Sequence, residues 1–175
     1  FGSALLSSGM LVSAWSPATV SPSSVVSRVG AVEMMARTPL MAGNWKMNTV
    51  LDEAKTLAKD VAAAAKGAPG VDVAVCVPFP FLIPVGDVLS GTGVSLGAQD
   101  CYYETAGAYT AAVSTSMLKS VGSQYVLAGH SERRATFGDS DADVNKKTLK
   151  ILEEGLKAIL CIGELGGSQG WQLVG

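Results

Sequence analysis

The chain has 175 residues, a formal net charge of −2 and a charged fraction of 16%. That balance excludes the basic surface of a nucleic-acid binder and an acidic tail aimed at basic partners, and no run approaches the ~18 continuous apolar residues of a membrane-spanning helix. Cys76, Cys101 and Cys161 are odd in number and far apart, which fits reduced thiols serving as small core residues in a reducing compartment better than disulfides or a metal site.

Residues 1–37 are rich in serine, with Glu33 as the lone acid and Arg28 and Arg37 as the bases. They read as a disordered targeting leader in two parts, an apolar stretch over residues 4–12 followed by a Ser-rich, acid-poor stretch. The junction Val12-Ser13-Ala14-Trp15-Ser16-Pro17 resembles the cleavage motif of proteins sent to the plastids of algae with secondary plastids. A plastid is therefore the expected location, with mitochondrion or cytoplasm as alternatives. The plainer reading of the segment is a disordered tail, or sequence wrongly joined to the gene.

From Pro39 onward, strand-like and helix-like runs alternate, the pattern of a parallel sheet with crossover helices. Strands are expected over residues 40–44, 71–77, 94–98, 125–128 and 157–162. Residues 52–66 place Ala54, Leu57, Ala58, Val61, Ala62 and Ala65 on one helical stripe, ended by Gly67 and Pro69. Ser140 and Asp143 make a capping-box-like start to a second helix, whose stripe of Val144, Thr148, Ile151 and Leu152 closes at Gly155. The spacing is close to the ~30 residues per unit that eight units in ~250 residues require. The α/β fold expected is a (β/α)8 barrel truncated after about five β/α units, over residues 39–164. Residues 165–175 have neither charge nor helical period and read as a misread exon boundary or an alternative end.

Three segments close strand-like runs: Gly43-Asn44-Trp45-Lys46-Met47-Asn48, Ala128-Gly129-His130-Ser131-Glu132-Arg133-Arg134 and Cys161-Ile162-Gly163-Glu164. In a parallel barrel, residues just past the C-terminal ends of the strands form one face, and active sites sit there. Lys46 offers an ammonium for a phosphate or a developing oxyanion, and Asn44, two residues earlier and so on the same side, offers an amide donor. The plainer reading is that both merely end a strand with solvated polar groups. Trp45 and Met47, pointing the other way, are expected to pack. His130 is the one histidine. Gly129 leads out of a strand, Ser131 can cap, and the next three residues open a helical turn whose amides disfavour a charged imidazole. An ordinary hydrogen-bonded or solvent-facing histidine is the alternative. The stretch from Gln99 to Thr110 is a long loop, either plain surface or functional.

In this order, the three segments resemble triosephosphate isomerase over residues 39–164. The resemblance implies a homodimeric enzyme of glycolysis, gluconeogenesis and the Calvin cycle. It would interconvert dihydroxyacetone phosphate and D-glyceraldehyde 3-phosphate through an enediol(ate), without metal or organic cofactor and without nucleic-acid or membrane partners. It also implies His130 as a neutral electrophile, Lys46 as the catalytic cation, Asn44 and Lys46 on the substrate, and Glu132 and Ser131 in support. The loop from Gln99, with Thr110 at its tip, would project into a neighbouring subunit. That family usually has Gly-Glu after the threonine, and Ala111-Ala112 here would remove one ion pair across the dimer. Arg133, Arg134 and Glu164 resemble structural ion-pairing groups, and Cys161 resembles the family's buried strand cysteine. The family's glutamate base, phosphate lid and glycine-rich grips lie past Glu164, so the general base is expected to be absent from this chain. Two rival readings stay open: a catalytically inactive truncated product acting at most as a dimerisation module, and a different phosphate-handling barrel enzyme sharing the fold.

Overall fold

The computed structural model describes residues 38–163; the expected leader, Glu164 and the expected tail lie outside them. Among the described residues, five parallel strands pair in sequence order: β1 (Leu40–Asn44), β2 (Asp72–Val77), β3 (Val94–Ala98), β4 (Tyr125–Ala128) and β5 (Lys157–Leu160). Asn44 lies opposite Cys76, Val77 opposite Ala98, and Ala128 opposite Leu160. The C-terminal ends of the strands thus emerge along one edge of a curled half-barrel.

Alternation along the strands builds two cores. Val75, Val77, Leu96, Val126 and Ala158 face the helices, where Leu118 and Ile151 are fully buried; each such side chain contributes about 1.5–3 kcal/mol. Ala74, Cys76, Tyr125, Leu127, Ile159 and Cys161 form the second cluster on the other side of the sheet. Gly97 belongs to this arrangement because a Cβ there would lie 2.7 Å from the Cys76 sulfur. All three cysteines are free and buried.

The helices are α1 (Leu51–Ala65), α2 (Leu82–Leu89), α3 (Thr115–Ser120), α4 (Ser131–Phe137) and α5 (Asp141–Glu153). The buried stripe of α1 is narrow, made of Ala54, Ala58 and Ala62; Leu57, expected on it, lies at its flank and is exposed. Glu53 fixes the start of α1 by accepting the Val50 N–H at 3.2 Å. At α5, Ser140 accepts the Asp143 N–H at 3.2 Å and Asp143 accepts the Ser140 N–H at 3.1 Å, completing the expected box. Pro84 and Gly86 hide α2 from a reading by period, yet Pro84 sits in the first turn, where its missing N–H has no intrahelical partner to lose. No described helix is long and apolar enough to cross a membrane.

Candidate active site

The turn out of β1 carries the first group. Trp45 donates its N–H to the Cys76 carbonyl at 3.0 Å, which continues the ladder one residue past Asn44. The chain then turns: Lys46 has φ of 54°, in the left-handed region that side chains seldom adopt. Two polar side chains hold it there. Asn44 Oδ1 accepts the Lys46 N–H at 2.9 Å, and Gln99 Nε2 donates to the Lys46 carbonyl at 2.8 Å and to the Cys76 carbonyl at 3.1 Å. Trp45 is buried as expected, but Met47 is 97% exposed, because the turn at Lys46 breaks the strand's alternation before Met47 is reached.

The turn out of β4 carries the second. Gly129 has φ of +73°, and a Cβ on it would lie 2.7 Å from Val144 Cγ1, so both conformation and space call for glycine. His130 follows as the N-cap of α4, buried to 5% exposure. Its Nδ1 accepts the backbone N–H of Glu132 at 3.2 Å, which leaves the imidazole proton on Nε2. The cap is therefore the histidine ring itself. Ser131, expected as the cap, is the first helical residue and is exposed.

Glu132 joins the two turns. Its Oε1 accepts from Lys46 Nζ at 2.7 Å, while its backbone N–H donates to His130 Nδ1. The Lys46 hydrogen bond holds the Glu132 carboxyl below its ordinary range, so it stays an anion beside the ammonium. Together the groups can place a positive charge and a neutral imidazole on one rim of the sheet, an arrangement suited to stabilising an oxyanion.

The remaining expected residues lie around these two turns and in the loop after β3. The side chain of Gln99 bonds the ends of β1 and β2. Thr110 is exposed in the loop between β3 and α3, beside Ala111 at φ of 72°, and is not brought to Lys46 or His130. Tyr102 stacks on Tyr103 and packs against Tyr109, giving that loop its own small core. Arg133 pairs with Asp100 and Asp139 at 3.2 and 3.3 Å, and Arg134 with Asp141 at 2.5 Å. A cleft of about 460 Å³ opens between this loop and the end of α4, lined by Phe79, Tyr103, Arg133 and Phe137 among others. It excludes Lys46 and His130.

A buried cluster beneath the site was missed from sequence. Lys147 of α5, 3% exposed, donates to Asp100 at 2.8 Å and to Asp139 at 2.6 Å. Burial works to lower the Lys147 pKa, and the two carboxylates outweigh it, so the net shift is upward. Its signal was legible: a lysine three residues after Val144 and four before Ile151, on the apolar stripe of α5.

Residues 39–169 match the sequence profile of triosephosphate isomerase. The chain belongs to the triosephosphate isomerase family. It is 47% identical to triosephosphate isomerase of Chlorobium luteolum over 129 residues, 73% of this chain and 52% of that protein. Against the Carboxydothermus hydrogenoformans triosephosphate isomerase it is 46% identical over 128 residues, 73% of this chain and 51% of that protein. The crystal structure of triosephosphate isomerase from Bartonella henselae superimposes with a TM-score of 0.66 at 38% identity, covering 73% of this chain and 53% of that one. The chain spans about half the length of the curated relatives it matches. Within the family's barrel, its five strands correspond to a truncated (β/α)8 fold.

Proposed function

We propose that this chain supplies the lysine and histidine portion of a triosephosphate isomerase site, acting on dihydroxyacetone phosphate and D-glyceraldehyde 3-phosphate through an enediol(ate). The observation that supports it is Glu132 at the strand ends, its carboxylate on Lys46 and its backbone N–H on His130. In this reading Lys46, with the Asn44 amide beside it, meets the anionic substrate. His130, with its proton on Nε2, donates to the substrate oxygens as charge develops on them. Glu132 is committed to Lys46, so the carboxylate that moves the carbon-bound proton comes from residues outside those described.

Pairing of two copies belongs to the same proposal. Met47, Ile83 and Phe137 are 97%, 59% and 65% exposed, and Phe79 and Phe137 line the cleft beneath the loop that ends in Thr110. These apolar groups support a homodimer, and they equally favour the rival reading in which the chain is only a pairing module.

The test is isomerisation of dihydroxyacetone phosphate by protein extended to full family length, beside the 175-residue chain and a full-length His130→Gln. The extended protein is expected to be active and the chain alone inactive. His130→Gln is expected to lower the maximal rate by a factor of ~10²–10³, the range for losing one oxyanion donor, with little change in Michaelis constant. A change in the Michaelis constant alone removes the electrophile role, and an inactive full-length protein removes the isomerase reading in favour of the pairing module.

A further inference from the structure

We propose that Lys147 is a positioning residue for the site: its buried ammonium ties the loop that holds Lys46 to the helix that carries His130. The inference rests on the reading of Lys46 and His130 given above, and it adds a residue that touches neither of them.

The tie has two arms. On one side Lys147 Nζ donates to both oxygens of Asp100, at 2.8 and 3.1 Å. Asp100 directly follows Gln99, whose amide bonds the Lys46 carbonyl and so holds Lys46 in its left-handed turn. On the other side Lys147 Nζ donates to Asp139 at 2.6 Å. Asp139 directly follows Gly138, the C-cap of α4, and donates its N–H to the Arg133 carbonyl of that helix. The Arg133 guanidinium returns to both carboxylates. Two cations and two anions thus lock the start of one loop to the end of α4, while the other end of α4 is capped by His130.

Chemistry argues that the ammonium is there for geometry. Lys147 lies on the α5 stripe between Val144 and Ile151, a place where an unbranched apolar side chain would pack without desolvating a charge. Buried ion pairs are frequently no more stabilising than apolar replacements, whereas removing one member strands the rest. Without Lys147, Asp100 and Asp139 face each other with one shared arginine, and their repulsion would part the loop from α4. Lys46 then loses one of the two side-chain contacts that keep it in an unfavourable φ, and α4 loses its fixed end.

His130 being the lone histidine, ¹⁵N-histidine labelling of the intact 175-residue chain gives one imidazole to read. The parent is expected to show Nδ1 unprotonated and Nε2 protonated at pH 8. Lys147→Met is expected to move the Nδ1 signal toward the protonated type. It should also speed exchange of the Glu132 amide proton and the Gln99 side-chain amide protons at least tenfold, while amides of β2 keep their protection. Because Lys147→Met leaves two buried carboxylates, the neutral set Lys147→Met, Asp100→Asn, Asp139→Asn is read in parallel and is expected to show the same two changes. A folded variant with unchanged His130 signals and unchanged exchange overturns the proposal. Failure of both variants to fold also overturns it, making Lys147 a folding residue. Neither readout needs substrate, so an inactive full-length protein would refute the isomerase reading and leave this test standing.

Discussion

Gly129→Ala should be far more damaging than its size suggests. Gly129 sits at φ of +73°, where an alanine costs about 1–2 kcal/mol. Its new Cβ would also lie 2.7 Å from Val144 Cγ1, 3.0 Å from Val144 Cγ2 and 3.0 Å from Arg134 Nη2. The arginine end can swing away, but Val144 is buried on α5 and cannot yield without moving the helix, so overpacking adds about 1–3 kcal/mol. The sum, about 2–5 kcal/mol, is a large share of the ~5–15 kcal/mol that holds a domain folded. Gly138→Ala is the internal control. It has nearly the same φ of +77° with nothing within 4 Å of the added Cβ, so it should lose only the backbone part. Urea unfolding of the two variants beside the parent measures the difference directly. Adding Val144→Ala to Gly129→Ala should return part of the loss as a favourable coupling energy. Equal destabilisation by the two alanines, or no coupling with Val144→Ala, would refute the steric argument.

Burial pushes the Cys76 and Cys101 thiols up to about 12 and the Cys161 thiol up to about 11, so none should react with a disulfide reagent at pH 8 in the folded chain and all three should react together in urea; a thiol titrating rapidly in native buffer would contradict the packing of that strand. Asp139 is desolvated by burial, yet its bonds to Lys147 and Arg133 win and hold it below its ordinary value. A depressed carboxyl contributes stability above its unfolded pKa of about 3.9, lost as pH falls through the folded value, so the unfolding midpoint should drop below about pH 4, and Asp139→Asn should flatten that acid slope. An Asp139→Asn protein with the parent's slope would count against it.

How much was legible depended on whether the physics was local. β1, β3 and β4 fall where expected because short apolar runs bounded by Gly and Pro leave little choice, and α5 because Ser140 and Asp143 announce its start. β2 and β5 differ from expectation only at their ends. The candidate groups at the strand ends were visible for the same reason: a parallel sheet puts its C-terminal turns on one edge. What stayed hidden is non-local. Gln99 reaches a carbonyl 53 positions away and Lys147 a carboxylate 47 positions away, pairings that no periodic pattern encodes. The cap at α4 was misassigned because propensity ranks serine above histidine, whereas the imidazole Nδ1 supplies the same acceptor from a ring already buried at that point. The left-handed Lys46 was unreadable because glycine is the residue that normally announces such a turn.

Sequential strand order also shapes how the chain can be made. Because β2 to β5 each pair with the strand just before them, none of these described strands has to wait for a distant segment to be synthesised before it finds an edge to join. With strands starting at Leu40, Asp72, Val94, Tyr125 and Lys157, a ribosome working at ~5–20 residues per second delivers a new docking unit roughly every 1–6 seconds. Each arriving strand covers the exposed edge left by the last, keeping loop-closure costs small throughout. The nascent half-barrel thus grows from a single advancing edge, the one most in need of shielding from other chains while translation proceeds.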